Sequence, residues 1–198
     1  STAAGIAQYR EMLADGNPAE LWEAAGEELW KKPAGPKQAS LEACDLGLGP
    51  GVVKGAYAKL PRFFKDTGRV MDAEQRLMHC RMTLQGLTKE EASARPFSSP
   101  GKASDIERLM AYVASESRGT AIDIPLAHPE EKRVYELGRR MFFYRGGAYD
   151  FACATCHAQP GLRIRLQELP DLLTADGARF AYSTWPGYRV SQGEVRTM

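Results

Sequence analysis

The spacing of apolar residues predicts a mainly α-helical chain. Apolar positions recur every three or four residues through four segments, which are 19–32, 72–85, 106–115 and 129–144. A hydroxyl side chain three positions before a carboxylate, the signature of a capping box, predicts further helix starts at Thr88, Ser104 and Ser191. Alternating apolar and polar runs longer than four residues are scarce, so we expect little β-structure and much irregular loop.

Gly- and Pro-rich segments interrupt the predicted helices. The segment 95–101 has the composition typical of a linker. It predicts a boundary near Ser99 between two domains, residues 1–99 and 100–198.

Composition and charge exclude two classes of partner. The 198 residues are 43% hydrophobic and 26% charged, with a net charge of +1. No apolar run approaches the length that spans a bilayer, and neither half has the basic excess that would neutralise phosphates. We therefore expect no membrane span and no nucleic acid partner.

The strongest chemical motif is Cys153-Ala-Thr-Cys156-His157, the attachment sequence of a c-type haem. Two thiols with this spacing on one helical turn can reach both vinyl groups of one porphyrin and become thioethers. His157 is then expected to bind the iron from the proximal side, leaving the opposite axial position to another residue. Covalent haem predicts an exported, periplasmic protein whose signal peptide has been removed, since the N-terminus shows no leader features.

Zinc binding and thiol redox chemistry account for the motif less well. A zinc site needs two more ligands at matching spacing, which the remaining residues of the right types do not provide; these are Cys44, Cys80, His79 and His128. A thioredoxin-type redox pair follows a β-strand, whereas an aromatic helical segment precedes Cys153. The sequence therefore favours haem attachment over both.

An internal repeat relates the two predicted domains. When Cys44 is aligned with Cys156, Gly26 falls on Gly138 in the same register. The first domain lacks the first thiol and the histidine, so one haem is expected, in the second domain. Aromatic residues near the two cysteines are expected to line the porphyrin in the second domain and to fill the equivalent space in the first; they are Trp22, Trp30, Phe142, Phe143 and Tyr144.

A second, shorter internal similarity relates Leu60-Pro-Arg-Phe63 to Trp185-Pro-Gly-Tyr188. Each segment is expected to lead through a short loop into a helix.

Cys44 and Cys80 are the remaining cysteines. Cys44 can be a buried free thiol, but Cys80 is its unassigned partner and the exported location favours a structural disulfide between them.

Taken together, these landmarks resemble the SoxA family, the A subunits of bacterial SoxAX cytochrome complexes, in their single-haem form. They are Cys44 with the segment that follows it to Tyr57, Cys80, the motif 153–157 and the segment 185–196. The resemblance implies two cytochrome-c-like domains, of which the first has exchanged its haem for the Cys44–Cys80 disulfide.

The same resemblance implies an activity. Such proteins join thiosulfate oxidatively to a cysteine of a SoxYZ carrier and pass two electrons to the haems and to a SoxX cytochrome partner. That is an L-cysteine S-thiosulfotransferase, a sulfurtransferase with oxidoreductase character. Its distal iron ligand is a cysteine, often a persulfide, with an arginine four residues before it.

The sequence departs from this pattern after Glu194, where no Arg-x-x-x-Cys element occurs. The distal cysteine and its arginine are therefore expected beyond Met198. Met198 itself and Cys80 remain weaker candidates for the distal ligand. Arg189 and Arg196 lie near the expected site in sequence and are candidate substrate-side residues, although solvated surface charges explain them as well.

Three hypotheses remain open. The first is the haem-dependent enzyme subunit, and the alternative is a simple c-type electron-transfer cytochrome with methionine as its distal ligand. A third is a structural subunit whose haem only relays electrons. The ligand on the open face of the iron separates the first two.

Overall fold

The structure is a computed structural model that describes residues 19–93, 104–164, 167–183, 188–191 and 194–197, with a few isolated positions before residue 18. In this part of the chain, seven α-helices carry most of the regular structure. They are α1 (Ala19–Lys31), α2 (Ala73–Leu84), α3 (Lys89–Ala92), α4 (Asp105–Ser115), α5 (Pro129–Phe143), α6 (Cys153–His157) and α7 (Ala175–Tyr182).

The strands form small antiparallel pairs rather than a larger sheet. They are β1 (Arg62–Phe64) with β2 (Arg69–Met71), β3 (Arg163–Ile164) with β4 (Gln167–Glu168), and β5 (Tyr188–Ser191) with β6 (Glu194–Thr197). The expectation of a mainly helical chain with few strands is therefore confirmed.

Local capping explains where several helices begin. Asp72 accepts a hydrogen bond from the backbone N–H of Gln75 at the start of α2, and Thr88 and Ser104 form full capping boxes before α3 and α4. The four helices predicted from periodicity and these two capping boxes are confirmed. The helix start predicted at Ser191 is wrong, because Ser191 pairs with Glu194 at the end of the β5–β6 hairpin. The serine and the glutamate are thus partners in a strand pair, so the same spacing occurs in a different structure.

The hydrophobic core lies in the part that we call the N-terminal unit, the described residues up to 117. Side chains from α1, α2, α4 and the loop 41–56 form it; they are Trp30, Leu41, Cys44, Leu46, Val53, Ala56, Leu77, Cys80, Ile106, Leu109 and Val113. Helix α4 thus shares the core of the N-terminal unit. The boundary expected near Ser99 lies outside the described residues.

Gly26 allows α1 and α4 to cross closely. A Cβ at this position would lie 2.0 Å from the carbonyl oxygen of Arg108 and 2.8 Å from Cβ of Tyr112. Only a residue without a side chain permits this approach. The crossing brings α4 onto α1 although the whole segment 32–104, with α2 and α3, separates the two helices in the chain.

The remaining described residues, from 118 onward, form what we call the C-terminal unit. Where the exposure of their side chains is described, only Glu131 is buried. The unit carries α5, the attachment helix α6 and α7, and none of the described helices is long and apolar enough to cross a membrane.

Candidate haem attachment site

The attachment helix α6 presents both thiols of the motif. Cys153 is exposed, Cys156 is half-buried, and neither is in a disulfide. The backbone N–H of Ala152 donates to the Thr155 hydroxyl at 3.0 Å, which closes the first turn. The two sulfurs are therefore available on one turn of helix, as two thioether bonds to one porphyrin edge require.

A backbone carbonyl orients the histidine of the motif. Nδ1 of His157 lies 3.2 Å from the carbonyl oxygen of Pro170, and the backbone N–H of Leu172 donates to the His157 carbonyl at 2.8 Å. A ring whose Nδ1–H donates to a carbonyl has its Nε2 lone pair free for a metal. The donor set thus fits a proximal iron ligand, and the 170–172 loop fixes its orientation.

The surroundings of α6 also fit a large apolar group. Many large apolar side chains of the C-terminal unit are exposed; they include Tyr135, Leu137, Met141, Phe143, Tyr144, Tyr149, Phe151, Ile164, Leu173, Phe180 and Tyr182. A porphyrin offers two broad apolar faces, against which side chains of this kind pack. The residues present therefore fit a haem attached at Cys153 and Cys156.

Cys44 and Cys80 form the disulfide that the sequence predicted. Their Cα atoms are 5.6 Å apart, and both residues are buried in the core of the N-terminal unit. Cys44 lies in the loop after α1 and Cys80 lies in α2, so the bond ties the loop to the helix.

The repeat that aligns Cys44 with Cys156 extends to backbone conformation. An isolated bridge joins residues 34 and 39, and another joins residues 146 and 151, which are the equivalent positions of the second copy. Between them, Gly35 and Gly147 have positive φ, of 67° and 75°, and the non-glycine residues at 38 and 150 also have positive φ, of 46° and 50°. Helices α1 and α5 end at equivalent positions, 31 and 143. The same turn therefore leads from a helix to Cys44 in one unit and to Cys156 in the other.

The two cysteines differ in their surroundings. Trp30, in the first copy of the repeat, is buried in the core and lies 6.1 Å from the ring of Tyr112. Its equivalent Phe142 is half-buried, while the neighbouring Phe143 and Tyr144 are exposed. Protein side chains thus fill the space beside Cys44, whereas the aromatic residues near Cys156 remain accessible.

An open cleft of about 500 Å³ lies beside the disulfide. The buried Arg76 on its wall donates to the Asp45 carbonyl at 2.6 Å and to the Asp66 carboxylate at 2.8 Å, and its guanidinium stacks 4.0 Å from the Phe64 ring centroid. Burial alone would raise the pKa of Asp66, but the hydrogen bond and charge of Arg76, aided by His79, hold it below its ordinary value. Arg76 thus joins the loop that carries Cys44 to the β1–β2 hairpin.

The structure says less about the remaining predicted site residues. The backbones of Arg189 and Arg196 face each other in the β5–β6 register, but their side chains, like Trp185 and Met198, lie outside the described part. Within that part, no three His, Cys, Asp or Glu side chains come together so as to hold a metal ion. In the second internal similarity, both segments lead into a strand: β1 follows Pro61, and β5 begins at Tyr188.

Sequence reasoning missed three residues that order this region. The Pro170 carbonyl gives no side-chain signal, because any residue can supply a backbone oxygen. His128 begins α5 by accepting from the backbone N–H of Glu130, and Glu131 completes the capping box. A histidine is an unusual helix cap, so the spacing of His128 and Glu131 does not stand out as one in the sequence.

The chain is similar to several known proteins. The family model described as "SoxA/TsdA, cytochrome c domain" matches residues 25–122. The chain is 53% identical over 193 residues to the L-cysteine S-thiosulfotransferase subunit SoxA of Hydrogenophilus thermoluteolus, covering 98% of this chain and 70% of that protein. It is 32% identical to the protein of the same name from Hydrogenobacter thermophilus, covering 91% of this chain and 64% of that protein.

A solved structure is also similar. A chain in the crystal structure of SoxXA from P. pantotrophus superimposes with a TM-score of 0.61 at 27% identity, covering 78% of this chain and 55% of that chain. The chain thus spans between about half and seven tenths of the length of these proteins.

The matched family model lies over the N-terminal unit, which contains the disulfide rather than the attachment motif. A cytochrome c domain together with Cys153, Cys156 and His157 implies a covalently bound c-type haem. On its identity to curated relatives over nearly its whole length, the chain belongs to the SoxA family.

Proposed function

We propose that this protein is the haem-bearing A subunit of a thiosulfate-oxidising cytochrome complex in the periplasm. Its reaction joins thiosulfate to a cysteine of a SoxYZ-like carrier, and its electron acceptor is a SoxX-like cytochrome. The observation that carries the proposal is an attachment helix with an oriented His157, in a chain 53% identical to an L-cysteine S-thiosulfotransferase subunit.

The reaction forms one bond and releases two electrons. The outer sulfur of thiosulfate bonds to the carrier cysteine sulfur, the thiol proton leaves to solvent, and two electrons pass to the cytochromes. A bound haem supplies a one-electron acceptor whose reduction potential depends on its axial ligands. The chain's own contribution is to hold that group through Cys153 and Cys156 and to keep His157 oriented through the Pro170 carbonyl.

We propose one haem, in the C-terminal unit, and a haem-free N-terminal unit. Support for this division comes from the repeat, in which Cys44 occupies the place of Cys156 but is bonded to Cys80. Asp45 then stands where His157 would be required. The packing of α4 on α1 favours a domain division after residue 117 over one near Ser99.

The distal side of the iron is expected to be completed by a cysteine and an arginine beyond Met198. Arg189 and Arg196, paired in register in the last hairpin, remain candidates for holding the sulfonate end of thiosulfate by charge-assisted hydrogen bonds. A cysteine thiolate on that side would keep the reduction potential low, unlike the thioether of methionine in an electron-carrying cytochrome.

The test uses the full-length holoprotein in complex with its cytochrome partner. Incubation with thiosulfate and the reduced carrier should add one thiosulfonate group to the carrier cysteine, seen by mass spectrometry, together with haem reduction. A carrier with serine at that cysteine is the matched control and should gain nothing. A methionine–iron charge-transfer band in the ferric spectrum, without carrier modification, would instead identify a simple electron carrier. Mass analysis of the intact chain counts the haems.

A further inference from the structure

Glu131 stands out because it is the only buried residue among those residues of the C-terminal unit whose exposure the structure describes. Its exposed fraction is 7%, although it lies in the first turn of a helix that is otherwise largely exposed. Buried carboxylates are rare unless they are paired or hydrogen-bonded. The burial of Glu131 therefore points to a specific contact.

That contact is with the N-terminal unit. One carboxylate oxygen of Glu131 accepts from the backbone N–H of Phe63 in β1 at 2.9 Å, and the other accepts from the backbone N–H of His128 at 3.0 Å. Thus a single side chain caps its own helix and binds a strand far earlier in the chain. Hydrogen bonds to a charged acceptor are the stronger kind.

The strand needs such a partner. Phe63 faces Val70 across the two-stranded β1–β2 pair, and no third strand of the described part pairs with β1, so the Phe63 N–H points away from the pair. An unpaired backbone donor at a strand edge costs free energy when it is shielded from water. The Glu131 carboxylate satisfies that donor.

Aromatic stacking reinforces the same contact. The Phe63 and His128 rings are nearly parallel, at an angle of 8°, with centroids 3.7 Å apart. We call Phe63, His128 and Glu131 the inter-unit latch. Nearby, the backbone N–H of Asp123 donates to the Ala58 carbonyl at 2.9 Å, so the connecting segment is also fixed to the N-terminal unit.

The charge state of Glu131 suits this role. Burial alone would raise its pKa, but the backbone N–H groups of Phe63 and His128, with the nearby charge of Arg62, hold it below its ordinary value. The carboxylate is therefore ionised at neutral pH and remains a strong acceptor.

The inter-unit latch is connected to the attachment site through one rigid element. Glu131 lies at the start of α5, and the end of α5 at Phe143 leads through the 146–151 turn to Cys153 in α6. We propose that Glu131 is a positioning residue, which fixes the haem-carrying unit against the β1–β2 hairpin and so sets where the haem lies for an incoming carrier. Engagement of the carrier rests on the proposed function; the contact itself does not.

The first experiment measures the distance between the two units. A nitroxide-bearing residue at the exposed position 32 and the ferric haem iron give a distance distribution by pulsed EPR in the full-length holoprotein. We expect Glu131→Gln, whose amide turns a donor toward one of the two N–H groups, to broaden this distribution about twofold or more. Glu130→Gln is the matched control: it removes the neighbouring charge, whose partner is the exposed Arg133, and should leave the distribution unchanged.

Glu131→Asp tests the length of the side chain separately from its charge. The shorter side chain keeps the carboxylate but cannot span from α5 to β1, so it should also broaden the distribution. It keeps the proposal testable if Glu131→Gln fails to fold. A distribution as narrow as in the wild type for a folded variant of Glu131 would overturn the proposal.

The second experiment measures function. With the haem spectrum and potential unchanged, Glu131→Gln should raise KM for the carrier roughly threefold or more with a smaller effect on kcat, because the pre-arranged docking geometry is lost. A broadened distribution with unchanged KM would overturn the positioning role. A wild-type complex without transferase activity would refute the proposed function and leave the latch to be decided by the EPR distances.

Discussion

The close crossing of α1 and α4 at Gly26 gives the sharpest prediction about stability. In Gly26→Ala, the new Cβ would lie 2.0 Å from the Arg108 carbonyl oxygen, where ordinary contact begins near 3.4 Å. The two helices would have to separate along that direction until the contact reaches the ordinary range. Backbone atoms on α4 cannot swing away as a side chain would, so core contacts on both sides are lost.

The magnitude follows from two opposing effects. Overpacking a filled interface costs about 1–3 kcal/mol or more, while alanine in place of glycine in a helix gains up to about 1 kcal/mol. Since the required separation exceeds the roughly 0.5–1 Å that already forfeits much of a dispersion contact, we take the upper end of the overpacking cost, which leaves a net loss of about 2 kcal/mol. For a protein of this size that lowers the Tm by about 4–8 °C.

The repeat supplies a matched control. Gly138 is the equivalent residue in α5, and a Cβ there meets nothing within 4 Å. In the holoprotein, Gly138→Ala should therefore leave the free energy of unfolding unchanged or raise it by up to about 1 kcal/mol. Urea and thermal unfolding, followed by circular dichroism and tryptophan fluorescence, measure both variants. Equal stability of the two variants would refute the crossing geometry.

Three further predictions concern the disulfide, the iron ligand and acid stability. Replacing Cys44 and Cys80 together by serine should lower the free energy of unfolding by about 3–4 kcal/mol, because the 36-residue loop is freed in the unfolded chain. The haem content should stay unchanged. Urea unfolding and haem quantification measure these two effects, and a loss of haem would contradict the prediction. His157→Ala should retain the haem through its thioethers but lose the imidazole signature in the ferric EPR spectrum, and unchanged g-values would exclude His157 as a ligand. The pKa of Asp66, paired with Arg76, is held below its ordinary value of 3.8, so its stabilising contribution is complete above that pH and lost as the pH falls through the lowered pKa. Asp66→Asn should therefore have a lower free energy of unfolding than the wild type at pH 7, and this difference should shrink in acid. If urea titrations give the same difference at neutral and acidic pH, the pairing of Asp66 with Arg76 is contradicted.

Local signals made most helices predictable. Residues 129–144 combine helical periodicity with a proline at the first position, and α5 spans Pro129–Phe143. Thr88 and Ser104 carry capping boxes whose reciprocal hydrogen bonds are all present. In these segments periodicity and capping agree, which is why a single sequence suffices.

Tertiary structure decided the features that the sequence left open. The strands β1 and β2 have three residues each, too few to show an alternating pattern. They are held partly by Arg76 in the next helix and by Glu131, which lies 68 positions after its partner Phe63. Likewise, α4 packs against α1 across the linker-like segment because Gly26 permits the approach, which no local pattern reveals. At Ser191, a capping pattern occurs in a strand pair, where Ser191 faces Glu194 instead of starting a helix.

For the site, the motif predicts the residues of covalent attachment but not their surroundings. Cys153, Cys156 and His157 could be named because a fixed spacing carries their chemistry. The carbonyl of Pro170 and the acceptor Glu131 could not, since each acts through backbone hydrogen bonds that depend on the folded chain.

The shared turn before Cys44 and Cys156 has a consequence for biogenesis. In the N-terminal unit that cysteine closes on α2, so oxidation alone completes a unit that already has its own apolar core. The C-terminal unit buries no apolar side chain among the residues whose exposure the structure describes, so we expect its folding to depend on the haem proposed for it. A cell that fails at haem ligation is therefore expected to accumulate a protein that is protease-resistant up to about residue 117 and degraded beyond it.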